Sequence, residues 1–229
     1  MYIMNIKYLF ITFLVFILTN CKLDNFDAPT SQLKGRFVYN GEALQMRGTG
    51  GDGDQIINAV QIDERFENVG TIPIFVNSNG EFNNLMYDGH YKLVVRQDKG
   101  PWIPIKDSID VYIDGNTNLD IEVTPYFMLK NSEITLDNNV VNVKTDVEQI
   151  VEYATISELK VYLSSTQFVD DRVRIGEYTC PNSKVGSNEF NFDFSNDDKI
   201  KNSKFLFARV AVKANGANEY IFSNVIQLR

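Results

Sequence analysis

Nucleophilic catalysis by serine or cysteine needs a base, usually histidine, beside the nucleophile. The 229-residue sequence contains one histidine, His90, and two cysteines, Cys21 and Cys180. His90 follows a turn signal at the start of a predicted strand, and Cys180 precedes a proline that indicates a turn. A pair made of His90 and Cys180 would have to bridge two domains. We therefore expect no catalytic triad, and the same shortage of ligands excludes a zinc site.

Paired carboxylates are the second chemistry to consider, because glycosidases place two of them about 5–10 Å apart across a cleft. The sequence has neighbouring acids at three places: Asp107 and Asp110, Asp170 and Asp171, and Asp197 and Asp198. All of them fall in predicted loops or on the wet faces of strands, where solvated charge is the ordinary explanation. We expect no catalytic residues and predict that the protein is not an enzyme.

The segment 48–54, GTGGDGD, suggests a cation loop because Asp52 and Asp54 could both supply oxygen ligands. A calcium loop of the EF-hand type also needs a further acidic or amide ligand and a distal glutamate. The sequence continues instead with Gln55, Ile56 and Ile57. The loop also lacks the Gly-Lys-Ser/Thr of a phosphate-binding loop. We expect a flexible glycine-rich connection, with no metal and no cofactor.

Trp102, the single tryptophan, lies in the loop Lys99-Gly100-Pro101-Trp102-Ile103-Pro104, outside the alternating strands. An exposed aromatic plane with polar groups beside it suits the C–H face and the hydroxyls of a sugar. Trp102 is therefore our candidate glycan-binding residue. The alternative is a ring folded back to cap the core or wedged between two domains, as the neighbouring apolar residue Ile103 also suggests.

Cys21 carries the clearest chemical signal. Residues 8–18, YLFITFLVFIL, form an apolar run that is too short to span a bilayer but suits a signal peptide. The run ends in Leu18-Thr19-Asn20-Cys21, which resembles a lipobox with asparagine at the usual small-residue position. We predict a lipoprotein signal peptide over residues 1–20, lipidation of Cys21, and a polar tether over residues 21–32. Two or more acyl chains hold a protein stably on a membrane.

The charge balance excludes one class of partner. The chain has a formal net charge of −8 and no basic cluster, and removal of Lys7 with the signal peptide makes it more acidic still. Such a surface repels phosphate backbones, so we expect no nucleic-acid binding. If Cys21 is lipidated, Cys180 has no cysteine partner and stability depends on burial alone.

Alternation of apolar and polar residues with period two predicts an all-β protein. Leu119, Ile121 and Val123 alternate with acidic residues in the first half, and Phe190 and Phe192 alternate with polar residues in the second. Predicted strands of the first half cover residues 33–39, 56–64, 71–77, 81–85, 91–96, 109–113 and 119–123. Those of the second half cover 133–136, 140–144, 159–163, 172–178, 190–194, 206–212 and 220–228, about the number found in an immunoglobulin-like sandwich. Residues 146–154 are compatible with a short helix.

The pair Thr124-Pro125 marks the predicted boundary between two domains, because proline cannot extend a central strand. We predict one β-sandwich over residues 33–125 and a second over residues 126–229. Asn-Gly and Asp-Gly pairs at Asn40, Asn79, Asp88 and Asp114 predict the tight turns of the first sandwich.

Several motifs in order along the chain resemble one family of bacterial lipoproteins. They are Leu23-Asp24-Asn25-Phe26-Asp27-Ala28-Pro29, Leu33-Lys34-Gly35-Arg36, Tyr87-Asp88-Gly89-His90-Tyr91-Lys92, Gly100-Pro101-Trp102-Ile103-Pro104, Val123-Thr124-Pro125-Tyr126 and Ser223-Asn224-Val225-Ile226-Gln227-Leu228. Together they resemble the Bacteroidetes lipoproteins known as domain of unknown function 3823. The family has no established activity.

The resemblance implies a transthyretin-like (carboxypeptidase regulatory-like) sandwich followed by a fibronectin-like or immunoglobulin-like one. It also implies genes beside SusC/SusD-type nutrient-uptake pairs, and therefore a role in glycan capture. Asp24 and Asp27 resemble the export signal that moves such lipoproteins to the cell surface. We expect a protein of the outer membrane, anchored by lipid and exposed at the cell surface, with glycan and a SusC/SusD-type complex as partners. The alternative is a structural fimbrial or adhesin subunit, in which the segment 220–229 would serve as a donor strand.

Overall fold

The computed structural model describes residues 27–48, 54–62 and 70–229. The predicted signal peptide, Cys21 and all but the end of the predicted tether lie outside these residues, as does Asp52. Among the described residues, no helix has the length and apolar character needed to cross a membrane.

The described residues of the first domain form eight strands in two sheets. The strands are β1 (Ser31–Tyr39), β2 (Glu42–Ala43), β3 (Ile57–Gln61), β4 (Ile72–Ile74), β5 (Glu81–Met86), β6 (Gly89–Val95), β7 (Ile109–Ile113) and β8 (Asn116–Glu122). Strand β1 is central in the first sheet, with β2 and β5 antiparallel on one edge and β8 parallel on the other. The second sheet has the order β4-β3-β6-β7, all antiparallel.

Alternation along these strands sends one set of side chains into the space between the sheets. The buried set from the first sheet includes Leu33, Phe37, Phe82, Met86 and Ile121, and that from the second includes Ile57, Ala59, Tyr91, Leu93 and Ile113. The predicted turn at Asn40 and Gly41 has positive φ at both residues, 51° and 77°, as a tight hairpin turn requires. The polar set of the first sheet is left on its outer face.

The second domain is also a sandwich of two sheets. Its strands are β9 (Phe127–Asp137), β10 (Val140–Gln149), β11 (Ile156–Ser164), β12 (Gly176–Thr179), β13 (Gly186–Asp193), β14 (Phe207–Ala214), β15 (Ile221–Phe222) and β16 (Ile226–Gln227). One sheet has the order β13-β10-β9, and the other has the order β12-β11-β14 with β15 and β16 along the free edge of β14. The prediction of an all-β fold with two tandem sandwiches is confirmed.

At two places the local structure differs from what the sequence indicated. Residues 146–154 are not helical, because strand β10 continues to Gln149 and a turn follows at residues 151–153. The one short helix that the described residues contain, α1 (Asp198–Lys201), was not predicted. Its N-cap is Asp197, whose carboxylate accepts hydrogen bonds from the backbone N–H groups of Lys199 and Ile200 at 3.0 and 3.2 Å.

The two domains share one continuous hydrophobic core. Backbone hydrogen bonds join the loop around Trp102 to the chain that connects the domains, from Ile103 N–H to Thr124 and from Tyr126 N–H to Pro101. A further backbone bond runs from the Phe222 N–H to the Gln45 carbonyl at 2.9 Å. The domains therefore meet along a packed, hydrogen-bonded boundary, which we call the seam.

Candidate functional site

The outer face of the first sheet carries two parallel rows of side chains. Strand register places Asn83 and Asn118 on either side of Lys34, and it places Glu81 and Asp120 on either side of Arg36. Val76 pairs with Phe82 as an isolated bridge, which extends the sheet by one short segment beyond β5. By that register Phe75 lies beside Asn83, and Asn77 lies beside Glu81. We call Phe75, Asn83, Lys34 and Asn118 the open row, and Asn77, Glu81, Arg36 and Asp120 the paired row.

In the paired row each polar group is satisfied by a neighbour in the same row. The Arg36 guanidinium contacts both carboxylate oxygens of Asp120 at 3.0–3.2 Å. The side-chain amide of Asn77 donates to the Glu81 carboxylate at 3.0 Å. Its carbonyl oxygen accepts from the backbone N–H groups of Asn79 and Glu81, at 2.9 and 3.0 Å. Asn77 thus builds the turn that fixes the position of Phe75 two residues earlier.

In the open row the polar groups have no such partners. The amides of Asn83 and Asn118 and the ammonium of Lys34 make no side-chain hydrogen bond or ion pair with any described residue. Phe75 is 41% exposed at the end of the row, an unusual setting for a phenylalanine. The open row therefore presents an aromatic ring, two amides and a cation to solvent.

Gly35, between the two rows on β1, determines how the sheet packs beneath them. A Cβ atom at Gly35 would lie 1.9 Å from the Leu119 carbonyl oxygen and 2.5 Å from the Phe82 ring. Only glycine lets the ring of Phe82 lie across the sheet at this point. The face above has a depression with a volume of about 720 Å³, which is lined by members of both rows.

The structure corrects the prediction for Trp102, which is 1% exposed and so offers no face to a sugar. Its ring stacks on Phe37 with centroids 4.5 Å apart and an interplanar angle of 29°. Gly100 has φ +88°, and a Cβ there would lie 2.2 Å from the indole ring. The ring is folded back over its own loop because Gly100 leaves room for it. The alternative interpretation, a ring packed into the core at the domain boundary, is what the structure shows.

The other groups singled out from the sequence have local roles. The imidazole of His90 lies 3.5 Å from the Asp110 carboxylate on the neighbouring strand. Cys180, in the other domain, is buried, and burial raises the pKa of its thiol. Asp170 accepts backbone hydrogen bonds from Arg172 and Val173 at 2.8 and 2.7 Å, which closes a turn.

Six charged side chains meet at the seam, and we call them the seam cluster. They are Arg47, Asp54 and Lys99 from the first domain and Asp171, Arg172 and Glu219 from the second. Arg47 is central, with Asp171 at 2.8 Å, Glu219 at 2.7 Å and Asp54 at 3.4 Å. Burial raises the pKa of Glu219 even though Arg47 and Lys99 oppose the shift.

Asp54, at the end of the predicted glycine-rich loop, is held in the seam cluster. Both of its carboxylate oxygens face the guanidinium of Arg172, one of them at 2.7 Å, and Arg47 lies on the other side. Asp54 is thus bound to arginines, while Asp52 is outside the described residues. Among the described residues, no group of three or more histidine, cysteine or acidic side chains is arranged to hold a metal ion.

Sequence reasoning missed the open row, although one signal was present. Asparagine is depleted in strands, yet Asn83 and Asn118 both lie inside strands on the solvent side. Residues that break a local rule are found most often at functional or strained sites. Phe75 was hidden because it follows Ile74 and precedes Val76 in an apolar run, so that its outward orientation is visible only in the register.

The fold and the open row define a protein of two tandem β-sandwiches with a concave, polar face on the first sheet. The family models give the particular family. Residues 31–124 match the N-terminal domain of a protein of unknown function, DUF3823, and residues 127–227 match the domain of unknown function DUF3823_C. The chain belongs to the DUF3823 family, as the sequence motifs predicted.

Solved structures agree with this assignment. A DUF3823 family protein from Parabacteroides merdae is 36% identical, with a TM-score of 0.80 over 89% of this chain and 100% of that one. A DUF3823 family protein from Bacteroides ovatus is 26% identical, with a TM-score of 0.74 over 86% and 98% of the two chains. A candidate carbohydrate-binding protein from Bacteroides uniformis is 17% identical, with a TM-score of 0.72 over 88% and 99%, and shares the fold. No curated protein matches the chain.

Proposed function

We propose that the protein is a non-enzymatic surface lipoprotein that binds glycan on the open row of its first sheet. The observation that carries the proposal is an exposed phenylalanine beside two amides that pair with no described residue, in a depression of about 720 Å³. Sugar-binding sites combine an apolar plane with a few polar groups that fix orientation. Asn83 and Asn118 each offer one acceptor and two donors, which suits the hydroxyl groups of a sugar.

One structural neighbour is described by the same kind of ligand. The structural neighbour from Bacteroides uniformis is described as a candidate carbohydrate-binding protein, at 17% identity. At this identity the likeness extends to the fold alone, so the open row remains the basis of the proposal. The ligand class is taken from the chemistry of that row.

The anchor in this proposal is Cys21, as its lipobox-like sequence suggests. Strand β1 begins at Ser31, and an extended chain rises at most about 3.3–3.6 Å per residue, so the tether would reach about 35 Å from the lipid. We propose an outer-membrane location facing the medium and association with a SusC/SusD-type uptake complex. Wild-type protein should incorporate labelled palmitate, and Cys21→Ala should not. Equal labelling of both would refute the anchor.

The test of glycan binding uses full-length protein in mild detergent, titrated calorimetrically with a panel of soluble polysaccharides. At least one should bind, and Phe75→Ala should weaken its binding about tenfold or more, because stacking on the ring is lost. The matched control is Phe205→Ala, which removes a ring of similar exposure, 49%, from the second domain. No binding across the panel, or equal losses in the two variants, would contradict the proposal.

The fimbrial alternative lacks comparable support. A donor strand has to leave its own domain, but β15 and β16 both pair with β14. Tyr220, Ile221 and Phe222 are buried, and Leu228 N–H bonds to the Leu206 carbonyl at 2.7 Å. The terminal segment is therefore an integral part of the second sandwich and of the seam.

A further inference from the structure

We propose, building on the glycan-binding function above, that the glycan is anionic and that Lys34 binds a carboxylate or sulfate group on one of its sugars. Lys34 lies in the middle of the open row, with Asn83 on one side and Asn118 on the other. A neutral glycan needs only the ring and the amides. The cation at the centre of the row is the feature that a neutral ligand leaves unexplained.

The charge of Lys34 is not neutralised locally. No carboxylate of the described residues lies within ion-pairing distance of its ammonium. The nearest acids by register are Glu81 and Asp120, diagonally placed in the paired row. Asp120 is held by the Arg36 guanidinium at 3.0–3.2 Å, and Glu81 accepts a hydrogen bond from Asn77 at 3.0 Å. Both carboxylates therefore have partners within the paired row and do not compete with a ligand for Lys34.

The surroundings also suit a charged group on a sugar ring. Lys34 is half-buried between strands, and the rest of its row consists of neutral groups. An ammonium binds an anion as a compact point charge, and the amides of Asn83 and Asn118 can donate to the same anion or to neighbouring hydroxyls. Hydrogen bonds that involve a charge are about twice as strong as neutral ones.

The net negative charge of the chain means that binding of an anionic glycan has to depend on a local cation such as Lys34. With a net charge of −8, the protein as a whole repels a polyanion, so general electrostatic attraction cannot account for binding. Binding of an anionic polysaccharide would then depend on a local cation, and removing that cation should abolish most of it.

The experiment uses full-length protein in mild detergent and two matched pairs of probes. Polygalacturonate is compared with its fully methyl-esterified form, which has the same backbone without carboxylate charge. Dextran sulfate is compared with dextran, so that the two pairs distinguish a carboxylate from a sulfate ligand. The variants are Lys34→Gln, Lys34→Arg as the charge-conserving rescue, and Lys92→Gln as the control. Lys92 is an exposed lysine on strand β6 of the other sheet, so its replacement changes the net charge by the same amount.

We expect one charged probe to bind at least tenfold more tightly than its neutral partner. Lys34→Gln should remove that preference, Lys34→Arg should retain most of it, and Lys92→Gln should leave it unchanged, with melting temperatures equal throughout. If neutral glycans bind through Phe75 and Lys34→Gln has no effect, the anionic ligand is refuted while glycan binding stands. If no polysaccharide binds at all, both proposals fail.

Discussion

The seam and the open row use similar polar groups in opposite ways. At the seam, three cations and three carboxylates are packed between the domains, and Arg47 alone contacts three acids. On the open row, Lys34 and two amides face solvent without a partner among the described residues. Burial makes an unpaired charge very costly, whereas an exposed one is solvated at little cost. Groups that are exposed and unpaired are free to bind a ligand, and groups that are buried and paired are committed to structure.

Trp102 and Phe75 show the same contrast between the seam and the open row. Trp102 is buried at the seam, and Phe75 is 41% exposed in the open row. From residue type alone, tryptophan in a glycine-proline loop is the better sugar platform. The structure favours Phe75 instead, because an aromatic face contributes to binding only where a ligand can reach it.

Replacing Trp102 should have the largest effect. Trp102→Ala removes the ring that stacks on Phe37 and should reduce the free energy of unfolding by about 3–5 kcal/mol, as deletion of a buried aromatic does. Circular dichroism during denaturant unfolding measures the change, because the variant has no tryptophan. The counterpart Phe75→Ala should cost less than about 1 kcal/mol. Similar losses in the two variants would remove the distinction between seam and open row.

Replacing Arg47 tests whether the seam cluster is structural. Arg47→Met leaves the buried Asp54 and Glu219 and the half-buried Asp171 without their central cation, and should reduce the free energy of unfolding by about 3 kcal/mol. Arg36→Met, the same change in an exposed pair, should cost only about 0–1 kcal/mol. Equilibrium unfolding in urea compares the two. A small effect at Arg47 would mean that the cluster contributes little to joining the domains.

The sequence predicted most of the fold because the fold depends on local patterns. Period-two alternation located strands such as β7 at its observed bounds, and Asn40-Gly41 marked a turn whose φ values are positive. Helix α1 was missed because a single turn held by one N-cap leaves no periodic signal. The short helix compatible with residues 146–154 does not form, because pairing with two neighbouring strands extends β10 beyond what its own residues indicate.

The candidate site was not predictable in the same way. Phe75, Asn83, Lys34 and Asn118 come from four separate segments, and only strand register brings them into one row. The parallel pairing of β1 with β8, 84 positions apart by the register of Lys34 with Asn118, has no signature in either strand alone. Likewise the burial of Trp102 depends on Phe37 and on space above Gly100.

Low pH should destabilise the second domain by protonating Glu158. This carboxylate is paired with Lys160 and Lys213 but partly exposed, so it lies between the buried acids of the seam and the exposed groups of the open row. Hydrogen bonds from Lys160 and Lys213 lower its pKa from the ordinary 4.5 to about 2. A lowered folded-state pKa gives stability that is present above pH 4.5 and is lost as the pH falls through 4.5 toward 2. Glu158→Gln should therefore remove about 1–2 kcal/mol of stability at pH 7, after allowance for partial exposure, and flatten the acid dependence. Urea unfolding at pH 7 and pH 3 tests this; an unchanged pH slope would contradict it.

The substitutions with the smallest expected effect on stability give the most direct test of the open row. Threonine is favoured in strands and asparagine is not, so Asn83→Thr and Asn118→Thr should each raise the free energy of unfolding by about 0.5 kcal/mol. Each should also weaken glycan binding about tenfold, because the single, shorter hydroxyl of threonine cannot reproduce the two N–H donors and the separate carbonyl acceptor of the amide. Asn191→Thr, at an exposed position on strand β13, should give the same stabilisation with no change in binding. Calorimetric titration and urea unfolding of the three variants separate the two effects. If binding is unchanged in all three, the two asparagines serve no ligand, and their presence in the strands has no functional cause.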